Sequence, residues 1–325
     1  MRWPGLPATS LRLGVAVICF TSNFWSLTID GLNNGFLYAL IALGYTLVYG
    51  VLQLINFAHS EVFMAGGFGG LLLTQWLVGT GNPSGWSAVA YVAAGMAMGA
   101  VAGGMIAFLL ERVAYRPLRR RHAPRLAFLI TAIGASYFLF SMAGHLFGRD
   151  AQSVPTLFNN KRVFSIFSAD VHVFDLLVAG SALAMLVLLD RMVARTRLGQ
   201  GIRAVAQDAE TASLLGVNID RVISQTFIIG GLLGGVAGFL FGMGSSVGYT
   251  MGFVPGLKAF TAAVLGGIGN LRGAMLGGIA LGLVENWGVT CVRNSWRDVI
   301  AFGILVLVLM FRPTGLLGER LGRSA

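Results

Sequence analysis

The sequence predicts an all-α polytopic membrane protein with eight to ten transmembrane helices, and three observations carry that prediction. Only 11% of the 325 residues are charged while 56% are hydrophobic, against the roughly 25% charged expected of a soluble domain. Long apolar runs fill residues 13–29, 31–60, 62–110, 126–148, 171–189, 222–257, 273–292 and 299–311, interrupted only by Asp175 and Glu285. Most supply the ~20 apolar residues a bilayer-crossing helix needs, and the longest have room for two helices or for one helix and a broken segment. Arginines then mark one side of the membrane. Arg112 to Arg125 contains six and Arg191 to Arg221 five, each group in a short connection between apolar runs. Cytoplasmic connections carry such an excess. Arg149, Lys161, Arg162, Arg293 and Arg297 fall on the opposite side by alternation. The net charge of +10 therefore records orientation in a bilayer, and nucleic acid is not expected as a partner although clustered basic residues can neutralise phosphates.

Residues 1–325 read as one transmembrane domain, with 112–125 as a cytoplasmic loop, 149–170 as a periplasmic loop and 190–221 as a second cytoplasmic loop. From a cytoplasmic N-terminus the spans are 13–29, 33–53, 62–79, 88–110, 126–147, 171–189, 222–245, a short segment near 256–270, then 273–292 and 299–312. The first follows a basic start with no small-x-small cleavage site, so it is read as a retained helix. Gly95, Gly99 and Gly103 in the fourth span, like Gly230, Gly234, Gly238 and Gly242 in the seventh, recur at every fourth residue. On a helix such a stripe lets a second backbone approach closely. The short segment has ten residues between Lys258 and Gly269, which rise only ~15 Å as a helix, half the hydrocarbon thickness. Gly266, Gly267 and Gly269 should break it within the membrane. Irregular backbone at that depth lines a cavity or is buried in protein, because lipid cannot satisfy its peptide groups. That points to a transport path. Cys19 and Cys291 lie in or beside apolar runs and form no disulfide framework or CxxC motif.

The stretch INFAHSEVF keeps Asn56, His59 and Glu61 among apolar neighbours. A two-residue offset puts His59 and Glu61 on opposite faces of a helix, so they cannot share a ligand there. The PCxxC and HExxH patterns that would complete a zinc site are absent, so no metal is expected. Ionisable groups inside a membrane face a bundle interior or a wet cavity and are paired. Lys258, the one lysine in an apolar region, is the expected partner of Glu61; the alternative is that Asn56, His59 and Glu61 cap a cytoplasmic helix end and snorkel. Glu285 is expected to pair with Arg293, within two turns of it. Asn56, His59, Glu61, Lys258 and Glu285 are thus the candidates for a translocation path. GSSVG at Gly244 to Gly248 matches a nucleophile-elbow pattern with Ser246 as nucleophile, but that elbow requires a preceding strand where a glycine-striped helix is predicted. No glycine–lysine dipeptide occurs, which excludes a Walker A loop. ATP and magnesium, if they power the protein, bind another subunit, and no cofactor is expected on this chain.

The connection from Arg195 to Val222 is the most informative one. Ala206, Ala209, Ala212 and Leu215 recur at three-residue steps and Gly216 follows as a C-cap signal. A short helix outside the membrane is predicted, with Arg203 at one end and Asp208 and Glu210 in its middle.

Four blocks carry a family resemblance: YALIALGYTLVYGVLQLINFAHSEVFMAGG at Tyr38 to Gly67, ERVAYRPLR at Glu111 to Arg119, RAVAQDAETASLLGVNIDRVISQTFIIGG at Arg203 to Gly231, and GLKAFTAAVLGGIGNLRGAMLGGIALGLVE at Gly256 to Glu285. They resemble the inner-membrane permeases of branched-chain amino acid ABC importers, specifically the H-type subunit, over about residues 31–318. The resemblance implies that Arg203, Asp208, Ala209, Glu210, Ala212 and Gly216 belong to a coupling segment seated on an ATP-binding subunit. It implies a paralogous M-type permease, two ATP-binding subunits and a periplasmic substrate-binding protein as partners, and the bacterial inner membrane as location. Where the family pattern has glycine after the histidine, this chain has Ser60. The resulting expectation is a permease half that moves branched-chain or other neutral amino acids by alternating access. An ion-coupled secondary transporter using Glu61 or Glu285 is the alternative, and an intramembrane hydrolase using Ser246 a third reading.

Overall fold

In the computed structural model a single 45-residue helix, α1 (Ala8–Leu52), runs through both of the first two predicted spans. The structure describes residues 8–317 except 55, 80–84, 156, 158–161, 167–168, 292–295 and 313, with backbone only for 8–22, 290 and 291. Asp30 and Gly31, which separate the two apolar runs, stay helical. An interior glycine costs a helix only about 1 kcal/mol. Here Gly31 and Gly35 lie directly against the backbone of helix α11 (Leu271–Cys291) at Gly282, Leu283 and Ile279, where a side chain would not fit.

The remaining elements follow in order. Helix α2 (His59–Val78) and α3 (Trp86–Leu110) are joined outside the described residues. A π-helical turn over Glu111–Tyr115 carries α3 into α4 (Arg116–Arg120), and α5 (Arg125–Leu146) follows. Strands β1 (Arg162–Ile166) and β2 (Ala169–His172) form an antiparallel hairpin. Then come α6 (Val173–Arg195), α7 (Arg197–Gln207), α8 (Ala209–Leu214), α9 (Ile219–Gly244), α10 (Phe253–Gly266), α11 (Leu271–Cys291) and α12 (Arg297–Phe311).

The count of spans is lower than the eight to ten expected. Among the described residues six helices are long and apolar enough to cross a membrane, seven if the bent pair α10–α11 makes one span. Two runs have fused into α1, and α12 has 15 residues, a rise of about 22 Å. The expected loop 112–125 is also mostly helix. The wide π turn aims Glu111 inward, where its carboxylate accepts from Arg119 Nη2 at 2.9 Å and Ser224 Oγ at 2.6 Å. Asp220, at the start of α9, accepts from Arg116 and Arg119. These contacts fasten the inner end of α3 to α9. The hairpin in the 149–170 connection was not expected of an all-α chain; beyond it, Gln152 and Val247 exchange two 2.8 Å backbone hydrogen bonds that tie this connection to the segment after α9.

Helix α1 is the axis of the bundle, packed by α9, α10 and α11, while α9 also packs on α2 and α3. The predicted glycine stripes are the contact surfaces. Gly230 meets Val48 and Gly44 of α1, Gly238 meets Phe63 and Gly67 of α2, and Gly99 meets Gly235. A second stripe on α9, Gly231 and Gly235, faces α3 at Gly99 and Gly103. The outer faces of α5, α6 and α12 expose Ile130, Leu188 and Phe311, as helices surrounded by lipid or another apolar chain do.

Candidate functional site

Helix α10, at 14 residues, rises about 21 Å and falls short of a full membrane crossing, and its two ends are built differently. Gly267 (φ 105°) and Gly269 (φ 95°) turn the chain left-handed after it, and the α10–α11 pair bends by 119° there. Only glycine adopts such angles without steric cost. The inner-end carbonyls do not go unsatisfied: Leu316 N–H donates to Leu265 O at 2.8 Å and Leu317 N–H to Gly266 O at 3.0 Å. The segment predicted near 256–270 is therefore this helix, begun three residues earlier. At its outer end α10 follows non-helical backbone, and its N-cap, Gly252, supplies no side-chain cap. Gly252 sits so close to the Ser60 carbonyl that a Cβ would overlap it.

Lys258, in the second turn of α10, does not pair with Glu61. Its Nζ lies 2.9 Å from Glu285 Oε1 and 2.8 Å from Asp298 Oδ1. Glu285 also faces Arg297 Nε at 3.2 Å and accepts from Tyr38 Oη at 3.3 Å, and Arg297 Nη2 donates to Asn286 Oδ1 at 3.0 Å. The expected partner Arg293 lies outside the described residues. The bend explains the misreading: it folds α11 back along α10, bringing residue 285 to 258 across a separation of 27 residues. This cluster joins α1, α10, α11 and α12 and balances two positive against two negative groups.

Asn56, three residues before α2, and His59 and Glu61, in its first turn, lie inside the bundle, and each faces a different way. Asn56 Oδ1 accepts from Ala58 N–H at 3.1 Å and Tyr115 Oη at 2.7 Å, and its carbonyl accepts from His59 N–H at 3.1 Å. That is a turn-stabilising role. The His59 ring packs edge-on to Tyr45, with centroids 4.6 Å apart, and touches Gly44 and Gly234; its Nε2 has no hydrogen-bond partner. Glu61 turns toward α5, accepting from Ser136 Oγ at 3.1 Å and lying 3.2 Å from Ser60 Oγ. Its Oε2 is buried with no partner. The two side chains are on opposite faces, as their spacing predicts, and among the described residues no group of three or more potential metal ligands occurs.

Four cavities are strung along α10, each sharing walls with the next. A polar one of about 510 Å³ is lined by Lys258, Tyr38, Asn34, Ser246 and Arg297. Through Thr250 and Val254 it borders an apolar cavity of about 730 Å³ that Glu61 lines. Tyr45 belongs both to that cavity and to a void of about 10 Å³ beside Asn56 and Phe260. Tyr49 and Ile268 join this void to a cavity of about 580 Å³ at the arginine-rich end, lined by Gln53, Asp190, Arg203 and Arg272. The constriction is aromatic: Phe260 faces Tyr45 at 6.4 Å and Phe57 at 6.3 Å between centroids. Ser246, the third reading's nucleophile, follows helix α9 rather than a strand and simply lines the polar cavity.

The connection after α6 forms two helices where one was predicted. Asp208 is the break: its carboxylate caps α8 by accepting from Glu210 N–H at 2.9 Å and Thr211 N–H at 3.3 Å, and the Thr211 hydroxyl also donates to it. The hydroxyl, foremost, and the two amides hold the Asp208 carboxyl below the usual carboxylate range. Arg203, on α7, donates to the Val193 carbonyl at the end of α6, and Gln53 Nε2 ties α1 to Ala206 O at 3.2 Å. Of the expected apolar seam only Ala212 is buried; Ala209 and Leu215 are exposed. Gly216 caps α8 at φ 84°, as predicted. Leu214 and Leu215, 82% and 79% exposed, form an apolar tip; the sequence pattern placed Leu215 in the seam and did not single out Leu214.

Residues 27–309 match the family model described as the branched-chain amino acid transport system / permease component. The chain belongs to this family. The permease is 40% identical over 294 residues to the high-affinity branched-chain amino acid transport system permease protein LivH of Escherichia coli (strain K12), covering 89% of this chain and 94% of that protein. LivH of Salmonella typhimurium is likewise 40% identical over 294 residues, with the same coverage. The permease protein BraD of Pseudomonas aeruginosa is 41% identical over 295 residues, covering 90% and 94%.

Proposed function

We propose that this permease forms half of the translocation path of an ATP-driven importer in a bacterial inner membrane and moves branched-chain or other neutral amino acids by alternating access. The observation that carries the reading is the string of cavities along a broken helix in a chain of this family, interrupted at one aromatic constriction between its two open ends. Opening Tyr45 and Phe260 apart would join the Glu61 cavity to the inner one. Lys258 and Glu285 line or brace the outer part of this path, Glu61 its middle, and Asn56 and His59 the constriction. A paralogous permease would complete the path and a periplasmic binding protein would deliver the substrate.

ATP and magnesium act on two partner subunits. In this reading α7 and α8, with Arg203, Asp208, Ala209, Glu210, Ala212 and Gly216, transmit their closure. The apolar tip at Leu214 and Leu215 is the contact, since large exposed apolar side chains on an otherwise polar helix mark an interaction surface; Ala212 holds the tip onto the bundle. The test is ATP-driven leucine uptake by the complete importer in proteoliposomes. Leu214→Asp with Leu215→Asp should lower uptake at least about tenfold while the unfolding midpoint of the permease stays put. Unchanged uptake would remove the coupling assignment. Leucine uptake by this chain alone, on a proton gradient without ATPase subunits, would instead establish the ion-coupled reading.

A further inference from the structure

The apolar cavity of about 730 Å³ has a size typical of a small-molecule site, and its chemistry is unusually one-sided. Phe57, Ile133, Tyr137, Phe140 and Leu257 supply apolar wall, and Glu61 is the one ionisable carboxylate among its lining residues, none of which is a cation. Glu61 is only 3% exposed, and its partners are both neutral hydroxyls. Ser60 cannot serve it fully: Ser60 has one hydroxyl proton, and its Oγ lies nearer to the Phe57 carbonyl, at 2.7 Å, than to Glu61. Oε2 has no partner at all. A buried ionised carboxylate is stable only when paired, so Glu61 and the apolar wall suit a cation bearing an apolar body.

The wall next to Glu61 offers the opposite charge. Phe253 and Val254, the first two residues of the 14-residue α10, line the same cavity. The helix starts there without a side-chain cap; the Phe253 N–H donates to the Thr250 carbonyl and Pro255 has no N–H, so the Val254 N–H and the positive end of the helix dipole are what this end offers an anion. The pressing of Gly252 and Gly256 against Ser60 sets this N-terminus beside residue 61. Broken helices of transporters direct such ends at anionic groups of their substrates.

We propose that this cavity is a membrane-depth binding site for a zwitterionic aliphatic amino acid, with the ammonium on Glu61, the carboxylate at the N-terminus of α10 and the side chain among Phe57, Ile133, Phe140 and Leu257. The proposal rests on the importer reading above and adds to it a site within the permease, separate from any binding protein. It makes the permease itself discriminate: a solute lacking the ammonium leaves Glu61 unpaired, and one lacking the carboxylate leaves the helix end unpaired.

The test is equilibrium binding of radiolabelled leucine to the purified complex of both permeases and ATP-binding subunits, with the binding protein left out. Leucine should bind saturably. Glu61→Gln should weaken binding at least about tenfold, the loss of one charge-assisted hydrogen bond, and Glu61→Asp should recover part of it. Isocaproate and N-acetyl-leucine, which lack the cation, should fail to compete. Ile133→Trp, which fills the apolar wall and leaves the carboxylate alone, should weaken binding as much and covers the case in which Glu61→Gln does not assemble. Leucine binding at wild-type strength to Glu61→Gln, or isocaproate competing as well as leucine, would overturn the site. Absent binding in a wild-type complex that still takes up leucine on ATP would overturn the site and leave the importer reading intact; absent uptake would remove both.

Discussion

Glu285 and Glu61 are both sealed inside the bundle, at 0% and 3% exposure, yet their surroundings are opposite. Glu285 meets Lys258, Arg297 and Tyr38, and the charges around it cancel. Glu61 meets two hydroxyls and an apolar cavity. The first arrangement is balanced in charge without a ligand, although Glu285 Oε2, like Glu61 Oε2, has no hydrogen-bond partner, and it holds α1, α10, α11 and α12 together. The second becomes balanced only when something positive arrives. In a membrane protein the informative buried charge is the one whose partner the chain does not supply.

Removing one member of the balanced cluster should have the largest effect on stability. Glu285→Gln or Lys258→Met strands opposite charges in a low-dielectric interior, which costs about 3–5 kcal/mol, and a thermal unfolding series in detergent should show a clear fall in midpoint. A double variant, Lys258→Met with Glu285→Leu, should recover part of the loss; if it does not, the cluster is not a mutually dependent unit. Glu111, also fully buried, comes next. Glu111→Gln breaks its charge-assisted bond to Arg119 but keeps a hydrogen-bonding group for Ser224, for a loss of about 1–3 kcal/mol in the same measurement. Glu61→Gln should shift stability by less than about 1 kcal/mol, the scale of substitutions that break no ion pair. A loss as large as that of Glu285→Gln would show that Glu61 has a cationic partner after all and would erase the contrast.

The smallest effect concerns Asp208, exposed at the start of α8. Its carboxyl is held below its ordinary value by the Thr211 hydroxyl and neighbouring amides. The stabilisation is therefore fully present above the unfolded carboxylate pKa and is lost as pH falls through the lowered folded value. Amide-exchange protection in α8 should stay flat near neutrality and drop only at acid pH; protection that falls already near neutral pH would show that the cap is not the Asp208 carboxylate.

Much of this was legible in residue spacing, and what was not has physical reasons. Gly266, Gly267 and Gly269 announced the break after α10 because lipid tolerates no such backbone unless protein covers it. The fourfold glycine repeat of α9 gave its α1- and α2-facing surface, and Gly216 gave the end of α8. Asp30 misled, because a lone charge between apolar runs looks like a loop until close packing of Gly31 and Gly35 on α11 keeps the helix going. The partner of Lys258 was beyond reach, since it depends on how the 119° bend folds α11 back. The π turn at Glu111–Tyr115 leaves no mark on periodicity, and the exposed pair Leu214 and Leu215 continues an apolar pattern whose burial the tertiary contacts reversed.

The way the inner end of α10 is closed has a practical bearing. Leu316 and Leu317 supply the hydrogen bonds that finish that helix, and Asn270 grips the same strand through Leu317 O at 2.9 Å. An affinity tag, a fluorescent fusion or a surface tether joined directly after Leu317 would pull with a short lever on α10, beside the cavities. A reporter placed there would perturb the very motion it was meant to watch, unless a slack spacer decouples it.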